Sequence, residues 1–355
     1  MKQHAAKLDA LLAGAQSVLL TGPVDPDGDS VGACLGLARL IRARHGQARV
    51  AVAGDPGLRY SMLPDAAGML LDADIVPDWN VVIVMDGDKS RLTLEVDAAF
   101  KAANKRVIVD HHGTTTSEGY DLAILSPQTE STCGMVMEIL DAWQGTLDPD
   151  LAKLLYAGVI FDTGGFRYSN TKPSTHRMAA RLLETGIEHD LIAVAVLMER
   201  RAQGLQLSAR VQSNMELHHQ GRVSCGVITQ ALLQELGANS TDVEGIVESL
   251  LYLQGVQVSA LLTERAPGVT KLSFRSRGQV DVAQLARSLT TRGGGHQRAA
   301  GATLMMGLDE GKDSVLKALG EALNRCIAES SKVTSLSLLR AAARSRLRQG
   351  PPPSH

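Results

Sequence analysis

Short apolar runs alternate with helical periodicities through the first half of the chain. Ser17–Leu20 is the first run; a Pro/Asp/Gly turn follows it, then a helical pattern from about Ser30 to His45. Arg49–Ala53, Val81–Met85 and Arg106–Val109 are three further runs, and the last two end directly in charged or polar residues. Short, wholly apolar strands separated by helices predict a parallel sheet covered on both faces. Polar clusters after three of these strands draw attention because open α/β sheets bind ligands beyond the carboxyl ends of their strands.

Helical patterns continue at about Thr132–Trp143 and Asp150–Val159, and Thr175–Glu216 reads as almost wholly helical. Its polar middle, Arg200–Gly204, suits a linker or hinge. A second α/β unit begins near Gly221, with strands at Val223–Ile228, Val256–Thr263 and Lys271–Ser276, and helices at Thr241–Leu251 and Val280–Leu289. The run Arg292–Gly293–Gly294–Gly295–His296 cannot lie inside a helix, because three successive glycines cost too much backbone entropy there. Met1–Gly14 reads as a short amphipathic helix with Leu8, Leu11 and Leu12 on one side. The expected organisation is a first domain over 1–190, a helical linker over 191–220, a smaller α/β domain over 221–330 and a basic tail over 331–355. The tail has a plain reading as a solvated end and a functional one as a partner-binding amphipathic helix from about Leu336 to Leu347.

Composition narrows the function classes. A chain of 355 residues suits two domains, and 44% hydrophobic content is ample for two cores. A formal net charge of -2 argues against a protein that coats long nucleic acid by charge, but short nucleotides need only a few local cations. The four cysteines, Cys34, Cys133, Cys225 and Cys326, make no CxxC pair, so neither a zinc ribbon nor a disulfide framework is expected and a reduced, cytoplasmic setting fits. No signal-peptide core and no membrane-length apolar stretch is evident.

The candidate chemistry lies at four clusters. Asp25–Pro26–Asp27–Gly28–Asp29 puts three carboxylates within five residues, which is costly unless they are solvated or neutralised by a cation. In an extended segment Asp25, Asp27 and Asp29 point to one side; an acidic surface turn is the plain alternative. The strand run Val81–Met85 ends in Asp86–Gly87–Asp88, where a carboxylate is either rigidly placed or a helix cap. Val107–Val109 leads into Asp110–His111–His112, whose adjacent imidazoles project differently, one suited to a metal and the other to a substrate. His218–His219, in a helical stretch, is the incidental counterpart. The fourth cluster is Asp162–Thr163–Gly164–Gly165–Phe166–Arg167. Four strand-end or loop clusters are hard to explain as four separate turns. Carboxylates with one or two imidazoles suit manganese or magnesium better than zinc, and two such ions about 4 Å apart activate a water and steady the leaving oxygen of a phosphate ester.

The series PDGD, MDGDKSR, VDHH and DTGGFR, followed by RGGGHQRAAG, resembles the DHH phosphoesterases with their DHH-associated C-terminal domain, over about residues 15–325. The length resembles the short branch that holds the nanoRNA-degrading oligoribonucleases, which also remove the 3′-phosphate of 3′-phosphoadenosine 5′-phosphate, more than the longer RecJ exonucleases. The resemblance implies two Mn2+ ions, with Mg2+ as an option, held by Asp27, Asp29, Asp86 as the bridge, His111 and Asp162. It implies that Asp110 orients His111 from behind and that His112 faces the scissile phosphate. The histidine of the family's first motif falls at Pro23, so one metal position loses a ligand, which Asp25 is a candidate to replace.

The second domain is expected to grip the substrate. Gly293, Gly294 and Gly295 bring backbone N–H groups close to an anion, His296 hydrogen-bonds or stacks, and Arg275 with Ser276 meets phosphate, while Arg277 is either a second forked phosphate donor or, more plainly, a solvated surface charge. Arg91 either binds phosphate or pairs with Asp88. Ser131 and Thr132 most simply cap the following helix, although a helix start also suits an anion. The expected activity is hydrolysis of short RNA or DNA oligonucleotides, dinucleotides or 3′-phosphoadenosine 5′-phosphate in an interdomain cleft. No membrane partner is expected, and a homodimer is an option. A cyclic-dinucleotide phosphodiesterase and, given Pro23, a catalytically impaired nucleotide sensor are the alternatives.

Overall fold

Val18, Leu19 and Leu20 are wholly buried because strand β1 (Ser17–Thr21) is flanked by two other strands and covered on both faces. The computed structural model describes residues 1–326, which divide after Glu199 into two units.

In the first unit β1 pairs in parallel with β2 (Arg49–Ala53) and β3 (Val81–Met85), β3 with β4 (Lys105–Asp110), and β4 with β5 (Leu122–Leu125). The strand order is β2-β1-β3-β4-β5, an all-parallel sheet. Alternation sorts its side chains between two cores. Leu19, Val82 and Val84 join Val96, Ala99 and Phe100, residues of helix α4 (Leu94–Ala102). Val18, Leu20, Ile83, Met85, Val107 and Val109 join the larger core with α1 (Lys2–Leu12), α2 (Gly28–Arg44), α5 (Thr132–Trp143) and α6 (Pro149–Asp162). A single helical turn, α3 (Gly57–Tyr60), follows β2.

Two glycines let the helices approach closely. A Cβ on Gly32 of α2 would run into the Leu154 carbonyl of α6, and one on Gly158 of α6 would run into Cys133 Sγ and lie 2.5 Å from Asp29 Oδ1. The stretch from Thr175 is less continuous than its composition suggests. Helix α7 (Pro173–Leu183) stops before Gly186, whose φ is 82°, and α8 (His189–Ala193) runs into a π-helical turn at Val194–Met198.

In the second unit a six-stranded sheet has the order β10-β11-β9-β8-β7-β6. Its strands are β6 (Glu216–His218), β7 (Val223–Ile228), β8 (Val258–Ala266), β9 (Val269–Ser276), β10 (Gly293–His296) and β11 (Ala299–Leu304). Among the described residues only the β7–β8 pairing is parallel. Its described residues also form helices α9 (Ala202–Ser213), α10 (Gln230–Leu236), α11 (Ile246–Leu250), α12 (Val282–Leu289) and a helical segment over 308–326.

Two local expectations differ from the structure. The helix expected over Thr241–Leu251 is broken at Gly245, whose φ of 81° separates a 3-10 turn at Ser240–Val243 from α11. His218 ends β6 and His219 sits in a turn with φ 52°, so neither is helical. The glycine run, expected to lie outside any helix, forms strand β10, where antiparallel pairing to β11 satisfies the backbone on one side without needing side chains. The tail expected over 331–355 lies outside the described residues. Among the described residues no helix is long and apolar enough to cross a membrane.

Candidate metal centre

The acidic segment after β1 is not extended throughout, because Asp27 begins a helix. Asp27 is the N-cap of α2: its Oδ1 accepts the N–H groups of Asp29 and Ser30, each at 3.0 Å. Asp25 is therefore left exposed in the loop, outside the groupings described below, while Asp29 turns inward and is wholly buried. The Asp29 carboxylate meets the start of α5, accepting N–H bonds from Thr132 at 2.6 Å and Cys133 at 2.8 Å. A helix start offers unpaired N–H groups and the positive end of its dipole, which suits a buried acid. Ser131 is the cap of α5, accepting the Gly134 N–H at 2.9 Å. Thr132 does not cap: its Oγ1 donates to Asp86 Oδ1 at 3.0 Å.

Asp86 follows β3 with φ 57°, a left-handed conformation that aspartate tolerates better than most residues. Its own N–H still bonds Val109 O at 3.0 Å, and its Oδ2 accepts the Ser30 hydroxyl at 2.6 Å. His111, just past β4, places Nε2 2.9 Å from Asp162 Oδ2 and 3.6 Å from Asp86 Oδ1. Asp162 is the last residue of α6, a helix end and not a strand end or loop. Asn170 Nδ2 ties this end to the α5 side by donating to Asp162 O and Glu130 O, each at 3.0 Å.

The expected role of Asp110 needs correction. Its Oδ1 lies 2.7 Å from His112 Nδ1 and also accepts the His112 N–H at 3.1 Å, while Oδ2 takes the Thr115 hydroxyl. Asp110 therefore orients His112, not His111. A local turn explains the difference: Asp110 is the last residue of β4, and its carboxylate accepts the N–H two residues on, which brings residue 112 to it.

Electrostatics single out the same residues. Burial, reinforced by repulsion from Asp86 and Asp162, pushes Asp27 up to about 8. Burial and neighbouring acids likewise push Asp29 to about 7 and Asp86 to about 8. Burial works against charge on the two imidazoles, but the surrounding carboxylates outweigh it. Asp162, Asp29 and Asp86 push His111 to about 11, and Asp110 and Asp86 push His112 to about 9. Asp110 goes the other way: burial would raise it, but the hydrogen bonds and charge of His112 and the Thr115 hydroxyl hold it below the usual carboxylate range. A cluster that resists losing its protons without a cation is a cluster that a cation would relieve.

Asp29, His111 and Asp162 each offer a ligand atom within 4.8 Å of the others, as do Asp86, Asp110 and His112. The first grouping fits a hard divalent cation, with Asp86 beside it. In the second, Asp110 Oδ1 and His112 Nδ1 bond each other at 2.7 Å, so it fits a hydrogen-bonded support for His112 better. Pro23 is buried, and a Cβ on Gly87 would lie 3.6 Å from it. Arg91 is exposed in a 3-10 turn at Lys89–Arg91 whose cap is Asp88.

In the second unit the Arg275 guanidinium is held by Glu248, with Nε 2.6 Å from Oε1, and Arg277 donates to Leu251 O at 2.6 Å. Ser276 is buried and its hydroxyl donates to Val280 O at 2.8 Å, so it braces the turn after β9. Gly293, Gly294 and Gly295 lie along the edge strand, and His296 ends it. Sequence reasoning passed over Ser30, Thr115 and Asn170, and misassigned the hydroxyl of Thr132. A hydroxyl one residue after an acid, as in Asp29–Ser30, was the one local signal available.

A model of the DHH family, N-terminal domain, matches residues 17–159, and a model of the DHHA1 domain matches residues 225–329. The bifunctional oligoribonuclease and PAP phosphatase NrnA of Thermus thermophilus is 33% identical over 303 residues, covering 85% of this chain and 89% of that one. The cyclic-di-AMP phosphodiesterase PdeA of Listeria monocytogenes is 25% identical over 318 residues, covering 81% of this chain and 45% of that one. The crystal structure of an exopolyphosphatase-related protein from Bacteroides fragilis is similar in fold, with a TM-score of 0.77 at 23% identity, covering 92% of this chain and 96% of that one.

Proposed function

The chain belongs to the DHH family, and from that premise we propose that it is a manganese-dependent phosphoesterase that hydrolyses short oligonucleotides and 3′-phosphoadenosine 5′-phosphate. One observation carries the reading. Asp29 on α2, Asp86 after β3, His111 after β4 and Asp162 on α6 meet at the carboxyl margin of a parallel sheet, where open α/β folds bind ligands. The Thermus relative's oligoribonuclease and PAP phosphatase activities support the substrate class.

Asp27, Asp29, Asp86, His111 and Asp162 would hold the metal, and their hard oxygens with one imidazole favour Mn2+ or Mg2+. A bound divalent cation supplies activation of water and neutralisation of phosphoryl charge. The remaining work falls to side chains. Asp110 engages His112 Nδ1 at 2.7 Å, so Nε2, at the opposite edge of the ring, would be the atom that meets a phosphoryl oxygen. His112, pushed up to about 9, keeps its proton at neutral pH and can donate to charge that develops there. Arg91 in the first unit and Arg275, His296 and the backbone of Gly293, Gly294 and Gly295 in the second would bind phosphate and ribose. An edge strand suits this because, among the described residues, no strand pairs with its outer N–H groups.

The test is release of mononucleotide from a 5′-labelled dinucleotide, and of inorganic phosphate from 3′-phosphoadenosine 5′-phosphate, with Mn2+, with Mg2+ and in EDTA, beside Asp86→Ala. Equal turnover in the two proteins overturns the metal reading. A second substrate, a cyclic dinucleotide, is favoured by the similarity to PdeA; ring opening faster than dinucleotide cleavage would prefer it. Tight nucleotide binding with no metal-dependent turnover would instead mark a sensor, the outcome that Pro23 favours.

A further inference from the structure

Thr132 contacts two acids with two different groups. Its backbone N–H donates to Asp29 Oδ2 at 2.6 Å, and its hydroxyl donates to Asp86 Oδ1 at 3.0 Å. All three residues are buried. The hydroxyl is not needed to begin α5, since Ser131 already caps that helix. A threonine hydroxyl on a helix commonly returns to a carbonyl three or four residues back; this one reaches an acid 46 residues earlier in the chain. Ser30 completes the arrangement, donating to the other Asp86 oxygen at 2.6 Å. Each oxygen of Asp86 thus has one hydroxyl donor, which fixes the rotation of the carboxylate.

We propose that Thr132 is a positioning residue that sets the spacing and orientation of the Asp29 and Asp86 carboxylates for metal capture. The inference rests on the metal reading of the site. Two unneutralised carboxylates repel, so their approach needs donors aimed at both. Thr132 supplies both donors from one residue at a rigid helix start, so the two acids cannot drift independently. Without the hydroxyl, Asp86 Oδ1 has an imidazole at hand, with His111 Nε2 at 3.6 Å and His112 Nδ1 at 3.9 Å. A charge-assisted bond to either ring would turn the carboxylate from the cation position and compete with metal.

The test is Mn2+ binding by the full chain, followed by the electron paramagnetic resonance signal of free Mn2+, together with thermal midpoints in EDTA. Thr132→Val keeps the N–H and the shape but removes the hydroxyl. It is expected to weaken Mn2+ binding about 10- to 100-fold, the usual effect of losing a group that supports a ligand, with a metal-free midpoint no lower than wild type. Thr132→Ser restores wild-type affinity, because the donor returns. Ser131→Ala lowers the midpoint and leaves Mn2+ affinity as it was. Should Thr132→Val not fold, Thr132→Ala carries the same expectation. Unchanged affinity in the hydroxyl-less variant overturns the proposal, as does a serine variant as weak as the valine one. A loss of affinity matched by a loss of metal-free stability does so too. Wild-type protein that takes up no Mn2+ overturns the metal reading itself, and that failure is distinct from the others.

Discussion

The Asp110 carboxylate stands 2.7 Å from Nδ1 of His112 and so decides which edge of that ring is presented outward. Asp110 has almost no freedom of its own, being wholly buried with its second oxygen on Thr115.

Asp110→Asn keeps the size but removes the charge that helps hold the His112 proton. The His112 pKa, about 9 with Asp110 ionised, falls in the variant. The basic limb of the pH–rate profile for dinucleotide hydrolysis therefore moves to lower pH, and turnover at pH 8 drops about 10- to 100-fold. A basic limb at the same pH in both proteins removes His112 as the proton-bearing group.

Metal-stripped protein is expected to lose stability as pH rises. Asp27, Asp29 and Asp86, at about 8, 7 and 8 in the fold, ionise near 3.8 when unfolded. Across that window the native state holds more protons than the unfolded one, so the unfolding free energy falls with pH. His111 and His112, at about 11 and 9 against 6.5, act with the same sign: their contribution is complete below 6.5 and is lost through the upper values. Thermal midpoints in EDTA at pH 5.5, 7 and 8.5 should fall in that order. Added Mn2+ should raise the midpoint most at pH 8.5, since its ligands bind deprotonated. A midpoint in EDTA that climbs with pH contradicts the carboxylate assignment.

Gly158→Ala tests the approach of α6 to the site. The new methyl would meet Cys133 Sγ and lie 2.5 Å from Asp29 Oδ1, two wholly buried side chains that must shift to admit it. Overpacking of this kind costs about 1–3 kcal/mol, read as a lower urea midpoint. The folded variant should also bind Mn2+ more weakly, because Asp29 is displaced. An unchanged midpoint would mean that the helices separate freely.

Asp25→Asn and Asp27→Asn should behave differently although they are two residues apart. Asp25 is exposed, so its replacement is expected to change Mn2+ affinity by no more than about twofold, the usual scale of a surface change. Asp27 caps α2 and faces Asp86 and Asp162 electrostatically, so its replacement should weaken both metal binding and turnover. Calorimetric titration with MnCl2 separates the two, and equal losses would restore Asp25 as a ligand.

Several elements were legible in sequence to the residue. Val81–Met85 and Thr132–Trp143 have the limits their patterns predict, because a wholly apolar run and a 3.6-residue period are properties of the local chain. The short edge strands β5 and β10 were not legible. Leu122–Leu125 is mostly half-exposed and Gly293–His296 has little side chain to pattern, so both depend on a neighbouring strand for their conformation. The helix expected from Thr241 failed at Gly245, where a left-handed backbone overrides the apolar spacing.

The chain alone determined that acids and imidazoles would stand at strand ends on a parallel sheet, because side-chain alternation and burial follow from neighbouring residues. Tertiary structure decided the partner of each group. Asp29 met the start of α5 more than a hundred positions away in the chain, Asp86 drew hydroxyls from Ser30 and Thr132, and Asp162 arrived on the end of a helix. Hydrogen bonds and ion pairs act over a few ångströms of space and take no account of chain separation, so those pairings exist only once the helices have packed.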